Sequence, residues 1–445
     1  MAAARRCSAP IFVLSERVDM GGLTDKPGRG WTKIEIASKK AYGCGEHGQE
    51  LLEGLTLYGR LSDVPVLNSS LAIRMSHKAC WTFDAELELG NHRRGLRRNQ
   101  MKASGVVQMA DDPDLTVIVL VLFRDLRRRL DYYLVYDHIS ASLSMIKYLP
   151  EIYEDVSTMK PVSKRHGSDF ELFYMSHQLY PAPHTVLCVC TPDTRANAAS
   201  DGTGLWQIKK GCFEHEETEE FKADVAFSLQ GKGFWADLSQ GLMYCDLCTS
   251  DVVDFGFIGL PGECRLDLAQ KEVNWDVFGD IIEVPMKLNR TMGCVGDSIW
   301  FVCIDRSAAY ADDLVKIWTL DLSRGKLLNG EWERMAEDVP VSVLLGLDSF
   351  KVEGLLEGRP EFPVLMADGG LCVVLSDQSK FPRPLQGPLV EPICSFDVPH
   401  KKLLWHGLVH DYPFTNHVII PSNFLQRRHD SRKRKVDEQS PAAGV

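Results

Sequence analysis

The sequence predicts an all-β, mainly antiparallel fold: a β-propeller-like array of hairpin blades that ends in a disordered basic C-terminal tail. Three observations carry that reading. The stretch Gly233-Phe234-Trp235-Ala236-Asp237-Leu238-Ser239-Gln240-Gly241-Leu242-Met243-Tyr244-Cys245-Asp246 sets two apolar runs around the polar turn Ser239-Gln240-Gly241. That is the pattern of a β-hairpin, with Gly241 open to a positive φ. An apolar strand closing on Asp, then a turn, then a second apolar strand recurs, with the closing residues Asp137, Asp237, Asp321 and Asp397. Amphipathic helical patterns are scarce, and the best, at residues 311–314, is too short to count.

Taken in order, residues 11–14 form a short apolar strand and 21–30 a loop bearing glycine and proline. Residues 32–37 alternate polar and apolar, as a strand does. Residues 51–61 and 64–73 lean towards strands, and 81–89 alternate in part. Arg93, Arg94, Arg97 and Arg98 mark an exposed basic turn. Residues 115–123 are rich in Val, Ile and Leu, which predicts a strand buried on both faces. After the loop 124–130, residues 132–136 close a long hairpin with it. Strands follow at 170–175 and 185–190, then a loop at 193–204 and an acidic, solvated segment at 214–220. Beyond the central hairpin come strands at 253–260, 298–304, 315–320, 362–366, 371–375, 393–396 and 403–408.

The recurring aspartates lie 100, 84 and 76 residues apart. Half of each interval is close to the ~40–50 residues of one propeller blade, so the echo is expected to mark alternate blades. A sheet without covering helices must hide its edges, and radial repetition does so. A pair of β-sandwiches is the rival arrangement. The expected organisation is a β-rich N-terminal segment at 1–110, open to membership of the propeller, a propeller-like domain at 111–420, and the tail at 421–445.

The chain has 445 residues, 44% of them hydrophobic and 25% charged, the proportions of a globular protein. A net charge of -11 argues against a general nucleic-acid binder, which neutralises phosphates with excess Lys and Arg. The apolar run 115–123 falls far short of the ~20 residues a membrane-spanning helix needs, so no membrane is expected. Arg5 and Arg6 are followed only by the brief apolar run 11–14, with Glu16 and Asp19 soon after, so no secretory signal is read. A short Ala/Arg-rich transit peptide is the alternative. The 13 cysteines, odd in number and scattered, are then expected to be reduced and mostly buried. The sequons at Asn68 and Asn289 read as chance matches.

The central stretch, followed by Leu260-Pro261, resembles the core signature of a plant family, domain of unknown function 1618, which is expanded in grasses. Its marks are a Trp-containing strand, an Asp-Leu turn, a Gly-led strand ending Cys-Asp and a later Leu-Pro. Here they fall on Phe234, Trp235, Asp237, Gly241, Cys245, Asp246 and Pro261. Gly293-Cys294-Val295-Gly296-Asp297-Ser298-Ile299-Trp300-Phe301 and residues 315–320 resemble its later strands. Ala9-Pro10-Ile11-Phe12-Val13-Leu14 resembles its usual opening, with Phe12 as the aromatic before Val13. The likeness is loose over 11–410 and best over 233–320. It implies a β-rich fold similar to F-box-associated and kelch-like propellers, although no F-box helices precede it. It supplies no catalytic residues.

Candidate chemistry is sparse. Gly43-Cys44-Gly45-Glu46-His47-Gly48 matches G-x-G-x-x-G, which in a dinucleotide site ends a strand and opens a helix that holds the pyrophosphate. Here the strand is expected to end near Ala37, with 38–42 as loop. Gly54 and Gly59 suit a crossover helix poorly, and Asp63 at a ribose-contact distance is common by chance. A glycine-rich surface loop is expected, with no cofactor. Cys245-x-x-Cys248 and Cys212-x-x-His215 could compose a tetrahedral zinc site. Residues three apart on a strand face opposite sides, however, and Asp246-Leu247 is no knuckle, so no metal is expected. Cys188 and Cys190 share one strand face and read as core. His166, His177, His184 and His215 are scattered among acids, and 214–217 reads as a solvated acidic loop. The chain has no nucleophile elbow, P-loop or H-E-x-x-H, so no catalytic residue is named.

The basic segment at 426–436 contrasts with the acidic body, and the tail's composition cannot bury a core. Arg427, Arg428, Arg432, Lys433, Arg434 and Lys435 are the candidate nuclear localisation signal, to be read by an import receptor. A solubilising tail and a nucleic-acid contact are its rivals, the latter disfavoured because so few phosphate contacts are lost at physiological salt. The function expected is a non-catalytic protein-interaction module, nuclear or cytoplasmic, whose protein partner the sequence does not name. The alternatives are an enzyme with a pocket in the propeller channel and a nuclear nucleic-acid-associated protein using its basic tail.

Overall fold

The computed structural model describes residues 12–15, 17–61, 68–88, 102–108, 112, 114–125, 128–148, 153–154, 160–167, 169–178, 184–192, 205–213, 221–247, 252–266, 274–275, 281–282, 286–322, 331–335, 337–355, 357–376, 390–410 and 417–420. They fall into two compact units. The larger takes in the described residues of Leu149–Pro192 and Leu205–Asn416, and the smaller those of Ser8–Tyr148 and His417–Val445.

The larger unit holds four blades of mainly antiparallel strands. The first is Val162–His166, Asp169–Gln178, His184–Cys190 and Trp206–Phe213. The second is Val225–Leu229, Lys232–Asp237, Gly241–Asp246 and Val252–Gly259. The third is Arg290–Val295, Ser298–Asp305 and Leu314–Asp321, with the two-residue strands Glu333–Arg334 and Val339–Pro340 both paired to Leu314–Asp321. The fourth is Arg359–Leu365, Leu371–Ser376, Val390–Asp397 and Lys402–His410. The first strand of each blade packs against the first strand of the next, as in a propeller. The last strands of blades one and two pair in parallel, joining them into one sheet.

The apolar layers follow from the two-residue period of a strand, which sends successive side chains to opposite faces. Trp235, Met243 and Cys245 pack with Phe173, Met175 and Leu187 of the first blade. Their neighbours Phe234, Ala236 and Leu242 pack the other way, with Ile299, Phe301 and Trp318 of the third. Val302, Ile304 and Ile317 then meet Val373, Cys394 and Phe396 of the fourth. The continuous apolar runs in the sequence are thus strands covered on both sides.

The smaller unit has a six-stranded sheet, in the order Arg17–Val18, Lys102–Gln108, Leu115–Asp125, Arg128–Asp137, Ser142–Lys147, Ser38–Tyr42. Its second sheet has five strands, in the order Trp31–Lys33, Leu55–Leu61, Asn68–Met75, Phe12–Ser15, His417–Ile420. The helices Gly48–Gly54 and His77–Glu88 lie in this unit. Leu51, Leu52, Ile73, Phe83, Ile118 and Leu134 belong to one core.

The central hairpin forms as expected, with Trp235 opposite Met243 and Asp237 opposite Gly241. Its turn differs in mechanism. Gly241 is not among the positive-φ residues; a Cβ there would lie 2.4 Å from the Ile258 carbonyl oxygen and 2.5 Å from the Phe257 ring, so the glycine serves close approach. The Asp237 carboxylate closes the turn instead, accepting from the Ser239 N–H at 2.8 Å, the Ser239 hydroxyl and the Gln240 amide. Asp137 does the same with the Ile139 N–H and the Ser140 hydroxyl, and Asp397 with the His400 N–H. The bonds of Asp237 and Asp137 to the N–H two residues on make Asx turns, in which a side chain replaces a main-chain acceptor, while Asp397 reaches the N–H three residues on. At these three positions the echo is a turn device, and its spacing does not count alternate blades. Asp237, Asp321 and Asp397 lie in blades two, three and four in succession, and Asp137 lies in the smaller unit.

Other expectations change too. Residues 81–89, read as partly alternating, enter the helix His77–Glu88, where Ala79 and Phe83 are buried one turn apart and Trp81 is exposed. Residues 38–42 are strand, and 51–61 divide into the end of one helix and the strand Leu55–Leu61. A boundary at 110/111 would cut the antiparallel pair of Lys102–Gln108 with Leu115–Asp125, and contacts place both strands in the smaller unit. The tail and the basic turn at 93–98 lie outside the described residues.

Candidate functional site

The G-x-G-x-x-G segment has a more suggestive setting than expected, since strand Ser38–Tyr42 precedes it and helix Gly48–Gly54 opens on its last glycine. Its glycines nevertheless serve the backbone. Gly43 and Gly45 take φ of 63° and 73°, and a Cβ on Gly48 would lie 2.3 Å from that of Cys44. The helix has seven residues, and Glu50 in its first turn repels phosphate. The next strand, Leu55–Leu61, belongs to the other sheet, so no parallel βαβ crossover holds the motif. These residues do not fit a dinucleotide.

The zinc quartet does not assemble either. Cys212 is opposite Asp254 and Cys245 is opposite Phe255, so the two cysteines flank one strand and face opposite sides of the sheet. Cys248 and His215 lie outside the described residues. Among the described residues no three His, Cys, Asp or Glu side chains cluster to hold a metal ion. The signature residues from Phe234 to Asp246 share the second blade but divide by face. Trp235 and Cys245 point towards the first blade and Phe234 towards the third. Asp246 pairs with Lys232 across the hairpin, and Pro261 precedes the short turn Gly262–Cys264.

Two arginines missed in the sequence reading organise the blade junctions. Each is the first residue of the first strand of its blade, and each reaches back to a loop of the blade before. Arg290, buried, donates through Nη1 to the carbonyls of Leu238 and Cys264, both at 2.8 Å. Arg359 clasps Asp313 with Nε at 2.9 Å and Nη2 at 2.8 Å, and Nη2 also donates to the Ser307 carbonyl at 2.6 Å. Asp313 is fully buried, and removing one partner of such a pair typically costs about 3–5 kcal/mol because the other charge is stranded. Nearby, Arg306 donates to the carbonyls of Leu288 and Pro360, and burial lowers its pKa. Ser376 donates to Glu361 at 2.6 Å. The only sequence signal was an arginine opening an apolar strand, which composition alone does not separate from a surface cation.

Arg290 also brings two thiols under its influence. It is directly opposite Cys303 in the ladder, so both side chains leave the same face of the sheet. Cys264, whose carbonyl it holds, shares an apolar cluster with Cys303. The neighbouring Cys264 thiol and the Arg290 charge, against the effect of burial, pull the Cys303 thiol down to about 7, while Cys303 and burial raise Cys264. Elsewhere, burial alone pushes the Cys394 thiol up to about 12 and raises Cys188.

The smaller unit carries an open cavity of about 720 Å³ lined by residues 33–39 with Glu53, Leu55 and Thr56. The Lys39 ammonium donates to the carbonyls of Glu53 and Leu55 at 2.8 and 2.6 Å, and burial lowers its pKa. A second cavity, of about 460 Å³, is lined by Glu50, Glu53, Arg74 and Lys78 among others. Arg74 is paired to Asp19 and Lys78 to Glu50, each at under 3 Å.

The thiol pair and both arginine clasps fall inside a stretch that matches a known family. Residues 235–373 match the family described as Protein of unknown function (DUF1618). That stretch runs from the hairpin tryptophan into the second strand of the fourth blade and is less than a third of the chain. No curated protein matches. Among solved structures, the WD40 domain of SCAP from fission yeast is similar at 12% identity over 74% of this chain and 73% of that one, with a TM-score of 0.30. The β-propeller domain of the Trilobed protease from Pyrococcus furiosus is similar at 8% identity over 67% and 70%, with a TM-score of 0.30. A Bombyx mori β-fructofuranosidase is similar at 9% identity over 72% and 62%, with a TM-score of 0.27.

Proposed function

We propose that this chain is a non-catalytic, β-propeller-like protein-interaction module, nuclear or cytoplasmic, that presents its loops to a protein partner. The corner at residues 341–353 supports this best. Its two short helices, Val341–Leu345 and Asp348–Val352, bury Val341, Leu344, Leu345 and Phe350. They leave Val343 exposed and Val352 82% exposed. Phe350 stacks on Phe396 at 6.4 Å, and Glu353 pairs with His406 at 3.4 Å, which fix the corner to the fourth blade. Exposed apolar side chains on a fixed mount can anchor a partner's apolar patch at little cost in ordering.

The enzyme alternative needs carboxylates and cations free to act on a substrate. Asp313 and Arg359 instead hold each other, and Glu361 accepts from Ser376, which favours the interaction reading. The test places a photo-crosslinking residue at Val352 in the intact protein, with the same residue at exposed Ile139 as control. A discrete adduct specific to position 352 and suppressed by Val343→Glu is expected. Identical adducts at both positions, or none at 352, would overturn the reading.

A further inference from the structure

We propose that Cys264 and Cys303 form a peroxide-responsive dithiol, in which Cys303 is the attacking sulfur and Cys264 the resolving one. The placement follows from three elements. Strand Ser298–Asp305 carries Cys303 opposite Arg290. The Gly262–Cys264 turn is pinned to the same arginine by its terminal carbonyl, at 2.8 Å. Both cysteines are buried in one apolar cluster, beside the same guanidinium.

The charge balance explains why a thiolate belongs there. Arg290 is buried, and among the described residues its hydrogen-bond acceptors are two carbonyls, with no carboxylate in ion-pair contact. A buried guanidinium favours an anion beside it, and the adjacent anion-forming group is the Cys303 thiol. The neighbouring Cys264 thiol and Lys316 favour the same charged form, while burial and Asp305 oppose it. Thiolates near arginine are the reactive cysteines of proteins. The turn lies close to solvent, since Glu263 and Arg265 on either side of Cys264 are exposed, so a molecule as small as hydrogen peroxide has little protein to cross. The other near-register pair, Cys372 and Cys394, is offset by one residue across its ladder and so faces opposite sides.

The chemistry balances with hydrogen peroxide as the oxidant. The Cys303 thiolate attacks one peroxide oxygen and the O–O bond breaks. Hydroxide leaves and takes a proton to become water. Sulfur loses two electrons and is a sulfenic acid. The Cys264 sulfur then attacks it, an S–S bond forms, and hydroxide leaves with the Cys264 proton as a second water. Two thiols and one peroxide give one disulfide and two waters. The bond would tie the turn after the second blade to a strand of the third.

The full-length reduced protein is treated with one equivalent of hydrogen peroxide, its remaining thiols are alkylated, and it is digested for mass spectrometry without reductant. A linked peptide joining Cys264 to Cys303, reversed by dithiothreitol, is expected, while exposed Cys212 stays alkylated. Dimedone should label Cys303 in Cys264→Ser but leave Cys264 unlabelled in Cys303→Ser. Arg290→Lys should slow link formation in wild-type-like folded protein by at least severalfold. Oxidation of Cys212 with both buried thiols still reduced would overturn the proposal, as would dimedone labelling of Cys264.

Discussion

Trp235 is fully buried, and among the described residues its indole N–H has no hydrogen-bond partner. The side chain therefore contributes by volume and apolar surface alone, between Met243 across the hairpin and the first-blade layer. Trp235→Ala should destabilise the protein by about 3–5 kcal/mol. Trp235→Phe should cost clearly less, because it keeps a ring and removes an unpaired buried donor. Denaturant unfolding of both variants checks this, and equal losses would show that the indole nitrogen matters. Asp224 gives the pH counterpart. Burial raises its carboxyl pKa, against the Leu238 N–H it accepts at 3.0 Å. A carboxyl raised in the folded state binds its proton more tightly there than in the unfolded chain. Its contribution is therefore full below the unfolded pKa and lost as pH rises through the folded value. Asp224→Asn keeps an acceptor for Leu238 and cannot ionise. Its stability relative to wild type should grow as pH rises from the acid side through that window, and a flat difference would refute the assignment.

At the scale of elements, the central hairpin shows how much the sequence could tell. Its strands were legible because both faces are buried, and long apolar runs between turn residues have few other uses. The turn was read correctly in place and wrongly in mechanism. Composition marks glycine as special, but only the packed neighbour tells whether φ or space is the reason. Gly241→Ala tests the distinction. A Cβ would lie 2.4 Å from a main-chain oxygen, which cannot rotate away, so the variant should lose about 1–3 kcal/mol by overpacking. A neutral Gly241→Ala in thermal unfolding would mean the strand beside it yields. The helix His77–Glu88 was missed for a related reason. Its buried pair Ala79 and Phe83 is short, Trp81 lies exposed between them, and the apolar positions mimic partial alternation.

At the scale of the whole molecule, the bounds of the smaller unit were hidden because long-range pairings set them. Ser38–Tyr42 runs parallel to Ser142–Lys147, and Phe12–Ser15 pairs with His417–Ile420, and local pattern carries no trace of either. The arginine clasps and the thiol pair were hidden for the same reason: Arg290, Cys264 and Cys303 meet only once two blades are side by side. The basic tail is the opposite case, since its proposed role depends on sequence alone. Arg432, Lys433, Arg434 and Lys435 are four adjacent cations in a chain of net charge -11. Such a run repels itself and adds nothing to a fold, whereas an import receptor needs an exposed segment whose long cationic side chains enter acidic pockets one by one. We propose that these residues, with Arg427 and Arg428, direct the protein to the nucleus. Residues 425–445 fused to a fluorescent carrier too large to diffuse through nuclear pores should concentrate it there. Alanine at all four core positions should return the full-length protein to the cytoplasm. A carrier that stays cytoplasmic, or a full-length distribution indifferent to those alanines, would leave the tail as a solubilising end.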